Sequence, residues 1–236
     1  MHRFFIFNHQ ENPTKIIIPD KDLNHQLKRV LRIGNNEKII CIYKNYELSG
    51  NYINDQIKII NVEKFTIIKT KPIVNLIQAI PHPRKIPLIL QKSTELNVDC
   101  IFLIPTKRSL INLDKVILKD ERYKRIIIEA SEQTGRNDLP KLKYIHSFAD
   151  FSINNNDLVL VLFENERKTK LINSLIDLDR YENIYLIIGP EGGFTLDEIK
   201  YFTKRKWIIV TTGKNILRTE TATYYALSLV QAIKNK

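Results

Sequence analysis

Two segments of this chain carry residues whose types and spacing suit chemistry. The first is Gly189-Pro190-Glu191-Gly192-Gly193-Phe194, and the second is Ile216-Leu217-Arg218-Thr219-Glu220-Thr221-Ala222. The whole chain has seven glycines, and three of them fall within five residues of the first segment. Glycine has no side chain to keep a ligand away from the backbone, so such a turn can hold a small molecule by its own peptide groups. In the second segment, Arg218 offers a fixed fork of donors for a developing anion. Glu191 offers a carboxylate as proton acceptor or as a structural acceptor for loop amides. An apolar run at 184–188 precedes the glycines and reads as a buried strand. Thr195-Leu196-Asp197-Glu198 follows as a capping box that opens a helix. A strand, a tight loop and a helix in that order place the loop at the carboxyl end of a strand, where open α/β sheets bind ligands.

Two further loops have the same setting. One follows the apolar run at 158–163 and begins with Glu164. The other is Thr211-Thr212-Gly213-Lys214-Asn215, which leads into the second segment. Parallel strands would bring all three loops to one sheet edge and one pocket. Three unrelated connections fit the spacing equally well. Other nucleotide and catalytic signatures are missing: no G-x-x-x-x-G-K-[ST], no G-x-G-x-x-G and no G-x-S-x-G occurs. No cluster of His, Cys and carboxylates has metal-ligand spacing, so no metal is expected.

The formal net charge is +11 with 37 basic and 26 acidic residues spread through the chain, which points to a polyanionic partner, nucleic acid first. Cys41 and Cys100 form no CxxC, and Cys41 lies in an apolar run, as a buried thiol does. The N-terminal apolar patch at 4–7 is too short for a signal peptide, and no run approaches a membrane span. A cytoplasmic, soluble protein with no membrane association is expected.

The elements that must position these residues divide into two styles. Short strands read at 3–7, 15–18, 38–43, 46–53 and 56–62, with Lys44-Asn45 and Asn54-Asp55 as turns. A helix at 21–33 interrupts them, with Gly34 as its C′ residue and Lys28, Arg29 and Arg32 off its apolar face. Lys69-Thr70-Lys71-Pro72 reads as a linker. Beyond it strands at 74–80, 100–104, 158–163, 184–188 and 207–210 alternate with helices at 86–96, 114–134, 196–203 and 220–233. Such alternation predicts a parallel sheet covered by helices, hence an α/β fold. Thr219 is expected to cap the last helix, and Glu220 suits the positive end of its dipole.

The two glycine and arginine motifs together closely resemble the RsmE family, the 16S ribosomal RNA uracil-N3 methyltransferases of the SPOUT class. Arg3-Phe4-Phe5, Lys28-Arg29-Val30-Leu31-Arg32, Gln91-Lys92-Ser93-Thr94-Glu95-Leu96, Arg108-Ser109, Glu129-Ala130-Ser131-Glu132-Gln133-Thr134-Gly135-Arg136 and Leu139-Pro140 extend the resemblance nearly end to end. It implies a PUA-like RNA-binding β-barrel over 1–70, then a SPOUT domain over 71–236 with a knotted parallel sheet and a C-terminal trefoil knot. It also implies a homodimer, S-adenosyl-L-methionine as methyl donor, and one uridine near the 3′ end of 16S rRNA in the small ribosomal subunit as substrate. By the same resemblance Phe163, Glu164, Ile188, Gly189, Pro190, Gly192, Gly193, Thr212, Gly213, Ile216 and Leu217 hold the cofactor. Arg136, Glu191 and Arg218 are the catalytic candidates. Arg3, Lys28, Arg29, Arg32 and Arg108 are the RNA contacts. Thr212 stands where the family usually has leucine, Asn215 where arginine is common, and the histidine usual before Leu27 is missing. A ribose 2′-O-methyltransferase and a catalytically silent RNA-binding module remain open alternatives.

Overall fold

A computed structural model describes residues 2–7 and 15–235. The chain forms two compact units. The first comprises residues through Ile68 together with Ser131–Asp138, and the second comprises Lys69–Ala130 and Leu139–Lys236.

The first unit is a five-stranded sheet of order β1-β3-β4-β5-β2: β1 (His2–Phe5), β2 (Ile16–Ile17), β3 (Lys38–Tyr43), β4 (Tyr46–Ile53) and β5 (Gln56–Lys64). β3, β4 and β5 form an antiparallel meander, and β1 lies parallel to β3. Lys44, Asn54 and Asp55 adopt positive φ, as the two tight turns between these strands require. Ile39, Cys41, Leu48 and Ile57 alternate inward to build the core with Phe4 and Leu27. Burial pushes the Cys41 thiol up to about 12, so it stays a protonated, inert core group. The basic helix begins as α1 (Lys21–His25), capped by the Asp20 side chain, and widens into a π-helical turn at Gln26–Val30. Gly34 does not end it in the left-handed conformation. Arg32 does, at φ 52°, two residues earlier than expected, because the wider turn uses up its residues sooner.

The second unit carries a six-stranded sheet of order β11-β9-β10-β6-β7-β8, and every neighbouring pair is parallel. Its strands are β6 (Ile73–Ala79), β7 (Cys100–Ile104), β8 (Lys141–Tyr144), β9 (Asp157–Leu162), β10 (Asn183–Ile188) and β11 (Ile208–Val210). The helices are α2 (Ile86–Glu95), α3 (Leu113–Ile117), α4 (Asp120–Thr134, whose residues from Ser131 on belong to the first unit), α5 (Leu196–Lys204) and α6 (Thr219–Lys234). The expected single helix at 114–134 is two, α3 and α4, and the short edge strand β8 was not foreseen. β8 is half exposed and charged at alternate positions, so it lacks the apolar run that betrays the inner strands.

Both faces of this sheet are buried, which is why its strands read as continuous apolar runs. Val74, Leu76, Leu160 and Leu186 pack on one face beneath α2, α4 and α6. Ile77, Val161 and Ile187 pack on the other beneath α5, among Phe148, Phe194, Phe202 and Trp207. No described helix is long and apolar enough to cross a membrane.

Candidate functional site

Because β11, β9 and β10 are adjacent and parallel, the loops at their carboxyl ends emerge side by side. They enclose one cavity of about 290 Å³. Phe163 and Glu164 contribute from the loop after β9, and Ile188, Gly189, Pro190, Gly192 and Gly193 from the end of β10 and its turn. Thr212, Gly213, Ile216 and Leu217 contribute from the loop after β11. All eleven residues expected to hold the cofactor therefore line it. The alternative of three unrelated connections is excluded.

The turn after β10 is tight because its glycines are in mutual contact. A Cβ on Gly189 would come within 3.3 Å of the Gly193 Cα and of the Phe194 ring. Gly193 adopts φ +66°, a conformation that costs an L side chain about 1–2 kcal/mol. Downstream, Thr195 and Glu198 complete the reciprocal capping box, which starts α5 where the sequence placed it. In the loop after β11 the Thr211 hydroxyl lies 3.2 Å from the Gly213 amide and 3.1 Å from its carbonyl, stapling a residue that itself sits at φ +131°.

Behind the turn lies a buried polar chain. Gln78, in β6, is fully buried, and its Nε2 donates to the Ala79 carbonyl at 2.9 Å and to Thr219 Oγ1 at 3.0 Å. Thr219 Oγ1 donates to the Gly189 carbonyl at 2.6 Å, and Thr223 Oγ1 donates to Gln78 Oε1 at 2.8 Å. A carbonyl cannot donate, so Ala79 fixes which end of the Gln78 amide is nitrogen, and the direction of the whole chain follows. Thr219 is therefore not the cap of α6, as expected. Arg218 occupies the N-cap position without a side-chain cap bond, and the Thr219 hydroxyl is spent on the glycine turn.

Glu191 and Arg218 both line the cavity. Glu191 accepts from the His82 amide at 3.1 Å and pairs with Lys85 Nζ at 3.2 Å. Lys85 also reaches Glu220 at 2.8 Å. Partial burial works against the Glu191 carboxylate, but amide donors and Lys85 outweigh it and hold the group below the usual carboxylate range. The same balance lowers Glu220 and raises Lys85, so all three stay charged. A carboxylate so well supplied with donors is a weak base, which favours the structural role over proton acceptance. Glu191→Gln should leave the pH dependence of the single-turnover rate unchanged in shape. A lost or displaced rising limb would reinstate Glu191 as the base.

Arg218 is exposed at the cavity rim, and Glu220 is paired with Lys85 instead of with it. Arg136 belongs to the first unit. There Nε and Nη2 fork onto the two oxygens of Asp138 at 3.2 and 3.1 Å, with the arginine side chain 8% exposed. Arg108 lays its stem along Gly192 and donates to the Gly192 carbonyl at 2.6 Å. In the first unit Arg3 is held by Glu47 at 2.7 Å and by Asn137, and Lys28 by Asp55 at 2.6 Å. Arg29 and Arg32 stand exposed.

Sequence reasoning missed Lys85 and Gln78. Each left a signal: a lysine at the N-cap of a helix opposes the dipole and calls for a carboxylate, and an amide inside an apolar strand must find partners. Among the described residues no group of His, Cys and carboxylates could hold a metal ion.

Residues 69–231 match the family model described as an RNA methyltransferase domain. The ribosomal RNA small subunit methyltransferase E of Bacillus subtilis is 30% identical, with 98% of this chain and 96% of that protein covered. The chain belongs to the RsmE family. Two solved structures with the same fold carry a ligand. A methyltransferase from Legionella pneumophila, solved with its cofactor S-adenosylmethionine, superposes with a TM-score of 0.81 at 28% identity, covering 98% of this chain and 96% of that one. The small subunit methyltransferase E of Neisseria gonorrhoeae, bound to S-adenosylmethionine, gives 0.81 at 26% identity over 98% and 97%. The parallel sheet of the second unit is thus the methyltransferase core of the RsmE family.

Proposed function

We propose that this chain transfers a methyl group from S-adenosylmethionine to N3 of one uridine near the 3′ end of 16S rRNA. The observation that carries this reading is the convergence of three strand-end loops, one with three glycines and another with Gly213, on a single cavity with Arg218 at its rim. Relatives of the same family, solved with that cofactor, support it. So do the net charge and the name shared by the relatives. On the same family grounds we take the first unit as a PUA-like RNA-binding domain and the second as a SPOUT domain with a trefoil knot. We also take the protein as a cytoplasmic homodimer.

The cavity residues fit the cofactor. Gly213 has open space where a side chain would stand, the contact of Gly189 with Gly193 lets the turn close tightly, and Ile188, Ile216 and Leu217 offer apolar walls for a flat heterocycle. When bound, S-adenosylmethionine supplies a methyl group activated by its positive sulfur. The residues of the chain must then position the uracil and lower the cost of its anion. Uracil N3 carries a proton at neutral pH, and its loss spreads charge over the two flanking carbonyl oxygens. Arg218 can donate to such an oxygen from the rim and always carries its charge. Its guanidinium cannot take the proton, which goes to solvent water, so Arg218 stabilises the anion instead of generating it. The Lys85–Glu191–Glu220 cluster holds the glycine turn against the start of α6 and so fixes where Arg218 stands.

The test is incorporation of tritiated methyl into small ribosomal subunits that lack the modification, followed by nucleoside mass spectrometry and mapping. N3-methyluridine at one site is the expected product. A ribose-methylated nucleoside, or cofactor-independent RNA retention with no methyl incorporated, would replace this reading.

A further inference from the structure

Residues 163–170 leave the sheet after β9, and the excursion is anchored at its base. The Phe163 amide donates to the Val210 carbonyl at 3.0 Å, the Thr211 amide to the Thr169 carbonyl at 2.8 Å, and the Leu171 amide to the Thr211 carbonyl at 2.9 Å. Its tip is fixed too. Glu166 Oε1 accepts from the amides of Arg167, Lys168 and Thr169 at 3.0, 2.6 and 3.0 Å. These donors, the Thr169 amide foremost, hold the Glu166 carboxyl below its ordinary range. The carboxylate thus fills its own amide nest and stiffens the loop that carries Arg167, Lys168 and Lys170.

These three side chains are exposed and form no ion pair among the described residues, although the Lys168 charge helps the amides to lower Glu166. The foot of the same loop, Phe163 and Glu164, lines the cavity. Parallel topology puts other strand-end loops on this edge, and they add exposed Arg84, Lys107, Lys214 and Arg218. The carboxylates nearby are mostly committed: Glu191 and Glu220 to Lys85, Glu166 to its own amides. At the opposite edge of the sheet the pattern differs, since Lys69 is neutralised by Asp99 at 2.7 Å and Lys71 by Glu182. Exposed cations on several loops along the sheet edge that carries the cavity suit an extended polyanion better than a single small anion.

We propose that the 163–170 loop is a phosphate grip that holds single-stranded RNA on the methyltransferase unit itself, at the mouth of the cavity. The inference rests on the RNA substrate proposed above and adds where on the second unit the strand is held. A rigid loop loses little entropy when its cations engage phosphates, and phosphate contacts set position and affinity without choosing sequence.

The experiment uses the full chain, a labelled single-stranded RNA carrying the 3′-terminal sequence of 16S rRNA, and a salt series. In the triple variant Arg167→Ala, Lys168→Ala, Lys170→Ala, RNA affinity at low salt is expected to fall at least tenfold. The slope of log affinity against log salt should become shallower by about 2, given roughly 0.7 per phosphate contact for single strands. Calorimetric S-adenosylmethionine affinity and the thermal midpoint should stay at wild-type values. Glu166→Gln keeps the three cations but weakens the nest, and should reduce RNA affinity less than the triple variant does. An unchanged affinity and slope in the triple variant overturns the grip, as does a parallel loss of cofactor affinity. Wild type that binds polyglutamate as tightly as RNA overturns it as well. Wild type that binds the cofactor but no RNA would bring down the parent reading, and this one with it.

Discussion

Arg218→Ala is expected to lower single-turnover methyl transfer by about 10²–10³-fold, the range seen when one donor to a developing anion is removed. The side chain sits exposed at the cavity rim and forms no ion pair among the described residues; its charge helps to lower Glu220, whose ion pair is with Lys85. Its backbone occupies the N-cap position of α6 but its side chain makes no cap bond, so truncation leaves the helix start intact. Stability should therefore change little, and cofactor affinity much less than the rate. Arg218→Lys keeps the charge and loses the fork, so it should recover only part of the rate. The pH profile separates the roles further. If arginine stabilises the uracil anion, its removal leaves the proton on N3 to a higher pH, and the rising limb should move to more alkaline values. A variant that keeps the wild-type rate, or loses rate only in proportion to cofactor affinity, would show that Arg218 shapes the pocket without touching the reacting base.

What was legible in the sequence followed from strong local signals. The glycine turn, the apolar run before it and the Thr195 capping box are each specified within a few residues, and the structure places all three as read. The convergence of the loops was legible only as a possibility, because it depends on β9, β10 and β11 being neighbours, which is a matter of long-range pairing. Other features were hidden for particular reasons. Thr219 looked like a helix cap because that is what a threonine before a helix usually does locally. Its true partner, the Gly189 carbonyl, is remote in sequence. Arg3 looked like a phosphate contact, yet Glu47 and Asn137 hold it. Arg136 was read beside Arg218 as a catalytic candidate, but its fork is taken by Asp138, two residues away. That pairing shows in the bidentate geometry and not in the spacing. Charge in a sequence says how many cations exist and leaves open which are already spoken for.

The second large effect concerns the buried chain behind the glycine turn. Gln78→Glu should be strongly destabilising near neutral pH. The position is fully enclosed, and the amide nitrogen that faces the Ala79 carbonyl would become an oxygen facing an oxygen. The new carboxyl would be driven toward its neutral form, with a folded-state pKa raised above the unfolded value of about 4.3. A raised folded pKa means that stability is retained below pH ~4 and lost as pH rises through the folded value; a shift of about 3 units corresponds to a loss of ~4 kcal/mol. Thermal unfolding of Gln78→Glu against wild type should accordingly show a deficit that grows from acid to neutral pH. A deficit independent of pH would mean that the site admits water and is not the sealed chain described. Thr219→Val tests the other end. It removes the hydroxyl that holds the Gly189 carbonyl, at a cost of about 1–3 kcal/mol for an unpaired buried acceptor. Because Gly189 and Thr219 both line the cavity, part of that cost should appear as about a tenfold loss of cofactor affinity. Thr219→Ser restores the donor and should recover the affinity. If serine binds no better than valine, the methyl group and not the hydroxyl is what the turn depends on.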